Sequence, residues 1–233
     1  MKKPILLLLI MFTIASWSQV QKNDQVNMDL FLSETQFSSN DSDIINLIWW
    51  IPSEYWEATF KEDKSISEKE LAEMIDVMKA YNVLGIVQGE IGLFGGVTYE
   101  DADEIFKKTS LKDHYGDVHY ALKREEISPD MNNFLDVMKP ILSNMMGNLG
   151  ENFSFLVFDA KNSSDKMIAD SYKDHDFDII LKGDETYHFD LPFSALLMPK
   201  VCPKDSAEHN GKWVFCPYHG DVLKEKIPTG GAR

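Results

Sequence analysis

Residues 198–220 read MPKVCPKDSAEHNGKWVFCPYHG and gather side chains suited to holding a metal ion. Two short units there resemble each other: Cys202-Pro203-Lys204-Asp205 and Cys216-Pro217-Tyr218-His219-Gly220. Each sets a potential ligand at i and i+3, a spacing that lets one tight turn aim both side chains at a single ion. Two such turns at the corners of a hairpin would supply four ligands in a tetrahedron, the arrangement that zinc prefers in structural sites. The candidate set is Cys202, Asp205, Cys216 and His219, with His209 as the alternate to Asp205, because zinc accepts carboxylate but more often takes sulfur and imidazole. Four protein ligands close the shell. If Asp205 is not a ligand, a fourth position opens for water, and catalytic zinc becomes conceivable.

The same two cysteines permit a simpler chemistry. In an exported protein, Cys202 and Cys216, with 13 residues between them, could form a disulfide closing a hairpin, worth roughly 3 kcal/mol on chain entropy. A disulfide accounts for neither the repeated Cys-Pro nor His219-Gly220, so metal is the favoured reading. A Rieske cluster is not expected, since Lys204 stands where its first histidine belongs, and no Cys-x-x-Cys-His for haem occurs.

The tail resembles a segment found in uncharacterised secreted bacterial proteins: CPxD, a spacer with Asn-Gly-x-Trp, then CPxHG, after a stretch like Asp190-Leu191-Pro192-Phe193. The middle of the chain is similar too, at Phe94-Gly95-Gly96-Val97-Thr98-Tyr99, Met138-Lys139-Pro140 and Met146-Gly147, so the resemblance covers residues 44 to 224. It implies a family but no activity. The second unit is also similar to a zinc-ribbon knuckle with histidine in place of the usual cysteine. The first departs further, with Asp205 in the second ligand position.

Other chemistry-bearing groups have plainer readings. His114 and His119 lie beside Asp113 and Asp117 around Gly116, as in a polar turn. The glycines of Gln88–Gly96 lack the spacing of a phosphate loop and read as hairpin glycines. Asp174, Asp176 and Asp178 alternate but lack the glycine and closing glutamate of a calcium loop. Glu54 and Glu57 sit among Trp49, Trp50, Tyr55 and Trp56, which could be core or a ligand-binding surface. No G-x-S-x-G elbow and no phosphate-loop motif is present, which points away from an enzyme and from a nucleotide cofactor.

These residues need elements to place them. Ile44–Phe60 reads as one or two strands broken at Pro52. Ser67 and Glu70 form a capping box, and Leu71, Met74, Ile75, Met78 and Tyr81 follow at helical spacing, predicting a helix over 68–81. Val83–Val97 reads as a hairpin, and Thr98 is expected to cap a helix running to Thr109. Ser128-Pro129 opens a third helix that Pro140 should kink or divide and Gly147 should end. Phe153–Asp159, Asp176–Lys182 and Thr186–Asp190 read as strands, the last two turning at Gly183-Asp184. Gly211–Phe215 is expected to be a strand leading into the second cysteine turn. The fold class is α+β: a mixed or antiparallel sheet with about three helices, plus a small zinc-ribbon-like C-terminal hairpin.

Lys2 and Lys3 precede an apolar run from Pro4 to Ala15, and Ser16-Trp17-Ser18-Gln19 follows, a pattern expected of a signal peptide cleaved near Ser18-Gln19. Residues 1–18 are then the signal, 19–43 a polar linker or arm, 44–198 the body, 199–224 the hairpin and 225–233 a tail. The 233 residues carry 23 basic and 38 acidic side chains, a net charge of −15 that disfavours nucleic acid and anionic lipid. The expectation is a secreted or periplasmic binding or structural protein with a structural zinc or a disulfide in its tail and a protein or small-molecule partner. A secreted metal-dependent hydrolase and a disulfide-closed envelope protein are the alternatives.

Overall fold

The computed structural model describes residues 26–39, 41–61, 63–181 and 185–226. The expected signal peptide, the Gly183-Asp184 turn and the chain's last seven residues lie outside these.

The apolar run of the most aromatic stretch is a strand, β2 (Ile44–Trp50), buried on both faces. Successive side chains of a strand point to opposite sides. Ile48 and Trp50 therefore enter one core, with Leu84, Leu156, Phe177 and Phe189. Trp49 and Ile51 enter a second, with Trp56, Ile75, Met131 and Leu135. Pro52 does not interrupt a second strand. It caps the helix α2 (Ser53–Phe60), where its fixed φ suits the first turn.

The central sheet is antiparallel throughout. β1 (Gln36–Ser38) pairs with β2, and β2 with the long β3 (Tyr81–Ile91), setting Trp50 opposite Leu84 and Ile44 opposite Glu90. The other edge of β3 is shared: β7 (Ser154–Asp159) pairs with its first half and β4 (Val97–Tyr99) with its end. One face is covered by α2, α3 (Glu68–Met78) and α5 (Pro129–Met146). The other packs on a second antiparallel sheet, in the order β6 (Val118–Tyr120), β5 (Ser110–Lys112), β8 (Phe177–Leu181), β9 (Glu185–Phe189).

The α+β class stands, with six helices among the described residues rather than three. The additions are α2, the short α6 (Asn148–Glu151) and α1 (Met28–Thr35). Residues expected as a polar linker thus supply α1 and β1, because α1 anchors itself through Phe31, which has no exposed surface. Burying one such side chain contributes about 1.5–3 kcal/mol. Thr98 lies in β4, and α4 (Ala102–Lys108) is capped by Asp101, whose carboxylate accepts the Asp103 amide. α5 runs through Pro140 as one helix to Gly147.

A third sheet belongs to the tail. β10 (Lys200–Val201) lies between β11 (Glu208–His209) and β12 (Lys224–Glu225), antiparallel to both. The expected strand at 211–215 is absent. Asn210 accepts the Lys212 amide on Oδ1 and the Trp213 amide on its carbonyl, so Asn-Gly makes a turn, and only Phe215 bridges, to Val222. The tail docks through that turn. Asn210 donates to Ser194 Oγ at 2.7 Å, Lys212 pairs with Asp190 at 2.8 Å, and a Cβ on Gly211 would fall 2.5 Å from the Met198 carbonyl oxygen. Ser194 is itself fixed, since Glu34 of α1 accepts the Ser194 and Ala195 amides.

Candidate metal centre

The two cysteine units share one backbone conformation. In the first, the Ser206 amide donates to the Cys202 carbonyl at 2.9 Å and the Cys202 amide to the Ala207 carbonyl at 2.9 Å. In the second, Gly220 donates to Cys216 at 2.9 Å and Cys216 to Asp221 at 2.8 Å. The residue at i+4 is left-handed in both, Ser206 at φ 59° and Gly220 at φ 70°. Glycine takes that conformation without steric cost. Serine does not, and its presence there hides the equivalence of the turns from a reader of the sequence.

The turns face each other over a small buried cluster of Cys202, Cys216 and Leu223. The two sulfurs and His219 Nδ1 lie within 4.8 Å of one another. Nδ1 stands 3.3 Å from Cys202 Sγ and 3.6 Å from Cys216 Sγ. Zinc–sulfur and zinc–nitrogen bonds of about 2.3 and 2.0–2.1 Å give a tetrahedral S···N edge of about 3.6 Å. The three donors therefore already have the spacing of ligands around one ion, and this group could bind a metal.

Burial pushes the Cys202 thiol up, while the amides of Lys204 and Asp205 that point at its sulfur act the other way. Such amides favour a thiolate, the form that binds metal. The Ala207 amide, at 3.0 Å from Oδ1, and Cys202 hold the Asp205 carboxyl below the usual range. Its other oxygen lies 3.8 Å from His219 Nδ1. His209 Nε2 lies 3.6 Å from Cys216 Sγ, and its ring lies near those of Trp213 and Tyr218. Cys202, Cys216 and His219 thus meet. Asp205 and His209 each touch that group at one side.

The remaining candidates fall elsewhere. Trp49, Trp50 and Trp56 are core residues, at 5%, 3% and 3% exposure, and Tyr55 is half-buried against Trp49 and Trp56. The strand's alternation sends Trp49 and Trp50 into opposite cores, so the four do not form one shared aromatic surface. Glu54 accepts the Ser171 hydroxyl at 3.1 Å, and Glu57 is exposed. His114 and His119 belong to the β5–β6 hairpin. There buried Asp113 accepts the Tyr115 and Asp117 amides on Oδ1 and faces His119 Nε2 at 2.9 Å. Asp176 accepts the Leu191 amide and Asp178 meets His188 at 2.8 Å, so these two of the alternating aspartates are structural partners.

Sequence reading missed the surface around the site. Trp213, Val214, Phe215, Tyr218 and Val222 are all exposed. Their run of apolar types at a turn was the available signal. Among the described residues no helix is long and apolar enough to cross a membrane. Compared with protein-family models, curated proteins and solved structures, the chain matches none.

Proposed function

We propose that this chain is an exported, non-enzymatic binding or structural protein whose tail is a zinc-ribbon-like module folded around one structural zinc ion. The observation that carries the reading is the pair of backbone-equivalent turns that bring Cys202, Cys216 and His219 together. Two thiolates and an imidazole suit zinc better than calcium or magnesium, which take oxygen donors. Asp205 is the fourth ligand in this reading, because it occupies in the first turn the position His219 occupies in the second. His209 is then an outer partner whose ring nitrogen hydrogen-bonds the Cys216 sulfur. A shell of four protein ligands leaves no place for a reactive water, so the ion's role is to hold the module together, and its binding energy is folding energy.

Export is supported by the charged, then apolar, then small-residue start of the chain. A partner-binding role is supported by the exposed Trp213, Phe215 and Tyr218 that the module presents. The CPxD and CPxHG units support a kinship with the secreted bacterial proteins they resemble. One observation favours the hydrolase alternative: among the described residues, three donors lie within 4.8 Å of one another, which leaves a fourth position that water could take.

Metal analysis with native and denaturing mass measurement tests the reading. One zinc per chain and two free thiols after denaturation is the expected result. No metal, with a mass two hydrogens short, makes Cys202–Cys216 a disulfide and removes Asp205 and His219 as ligands.

A further inference from the structure

We propose that the tail site is a redox switch: a bound metal ion keeps Cys202 and Cys216 reduced, and once the ion leaves they close a disulfide that destroys the site. This rests on the metal reading above. Each turn is fixed by its own backbone hydrogen bonds, so each cysteine keeps its local conformation even as loss of the ion loosens the module around them. Both cysteines are buried, at 1% and 2% exposure, while the side chains of His219 and Asp205 keep 33% and 44% of their surface. The imidazole stands over both sulfurs at 3.3 and 3.6 Å. An ion fixes that imidazole in place and occupies the sulfur lone pairs. Without the ion, His219 is free to swing outward, and two neighbouring thiols lie beneath it.

The oxidant is a small-molecule disulfide, RSSR, of the kind present in oxidising compartments. One cysteine thiolate attacks RSSR; a protein–SR bond forms, the S–S bond breaks, and RS⁻ leaves and takes a proton from water. The second thiolate attacks the cysteine sulfur of that mixed disulfide, the Cys202–Cys216 bond forms, and a second RS⁻ leaves. The two cysteines lose two electrons and two protons, and RSSR becomes two RSH. Sulfurs bonded to each other cannot both serve as thiolate ligands, so oxidation and metal binding exclude one another. An arriving disulfide meets only the fraction of chains that has released its ion.

The test incubates the full chain, metal-stripped or zinc-loaded, with oxidised glutathione, and follows intact mass, thiol count and released zinc. The stripped chain is expected to lose two hydrogens in mass and then to bind zinc only after reduction. Free zinc at about ten times its Kd should slow closure about tenfold, because it lowers the open fraction by that factor. Cys202→Ser should stop at the glutathione adduct of Cys216. Equal closure rates with and without bound zinc overturn the switch and leave the metal site intact. So does a stripped chain that stays reduced or stays glutathionylated. Failure to bind zinc at all overturns the metal reading and the switch with it.

Discussion

Asp205 and His209 are the two candidates for a fourth ligand, one beside His219 and the other beside Cys216. Asp205 reaches His219 at 3.8 Å and shares the turn geometry of the first unit; His209 reaches Cys216 at 3.6 Å and is braced by two rings. If Asp205 is the ligand, Asp205→Ala lowers zinc affinity more than His209→Ala does in a chelator competition titration. Loss of an outer partner typically costs 10–100-fold in affinity, and His209→Ala is expected in that range with stoichiometry unchanged. The reverse ranking makes His209 the fourth ligand. Gly220 carries a different load. At φ 70° an alanine is strained by about 1 kcal/mol or more, so Gly220→Ala should lower both the stability of the tail and its metal affinity. The cysteines, Asp205, His219 and the alternate His209 were legible as types and spacings. The left-handed Ser206 was not, because serine does not advertise that conformation.

At the scale of elements, short-range chemistry was readable where a polar group has one obvious use. The Ser67–Glu70 capping box forms with both of its hydrogen bonds, and Pro129 opens α5. It misled where one residue serves two elements. Pro52 ends a strand by starting a helix, and Asn210-Gly211 makes a turn inside what reads as a strand. α1 escaped notice because its burial rests on Phe31 and Thr35, too few positions to show a period. The β5–β6 hairpin offers a clean test of local polar order. Burial raises the Asp113 carboxyl, but His119 and the amides of Asp117 and Tyr115 outweigh it and hold the group below its ordinary value. A depressed folded-state pKa contributes stability that is present above the unfolded value, near about 3.9, and is lost as pH falls through the lower folded value. Asp113→Asn should therefore destabilise the protein at pH 7 by about 1–3 kcal/mol in urea unfolding, and the difference from the parent chain should shrink toward pH 2–3.

Across the whole molecule, the tail is a small sheet seated on a body that has its own two cores. The seat is narrow: Asn210 on Ser194, Lys212 on Asp190, and the bare face of Gly211 against Met198. Chelation should accordingly open the tail to proteolysis between about residues 199 and 226, while the body resists as before. Equal protection with and without chelator would mean that the ion does not organise this module. The most direct measurement is X-ray absorption at the zinc edge on the purified full chain. The account predicts two sulfur neighbours at about 2.3 Å and two nitrogen or oxygen neighbours at about 2.0–2.2 Å. A spectrum without sulfur in the first shell, or a chain that holds no zinc when its thiols are reduced, would contradict it.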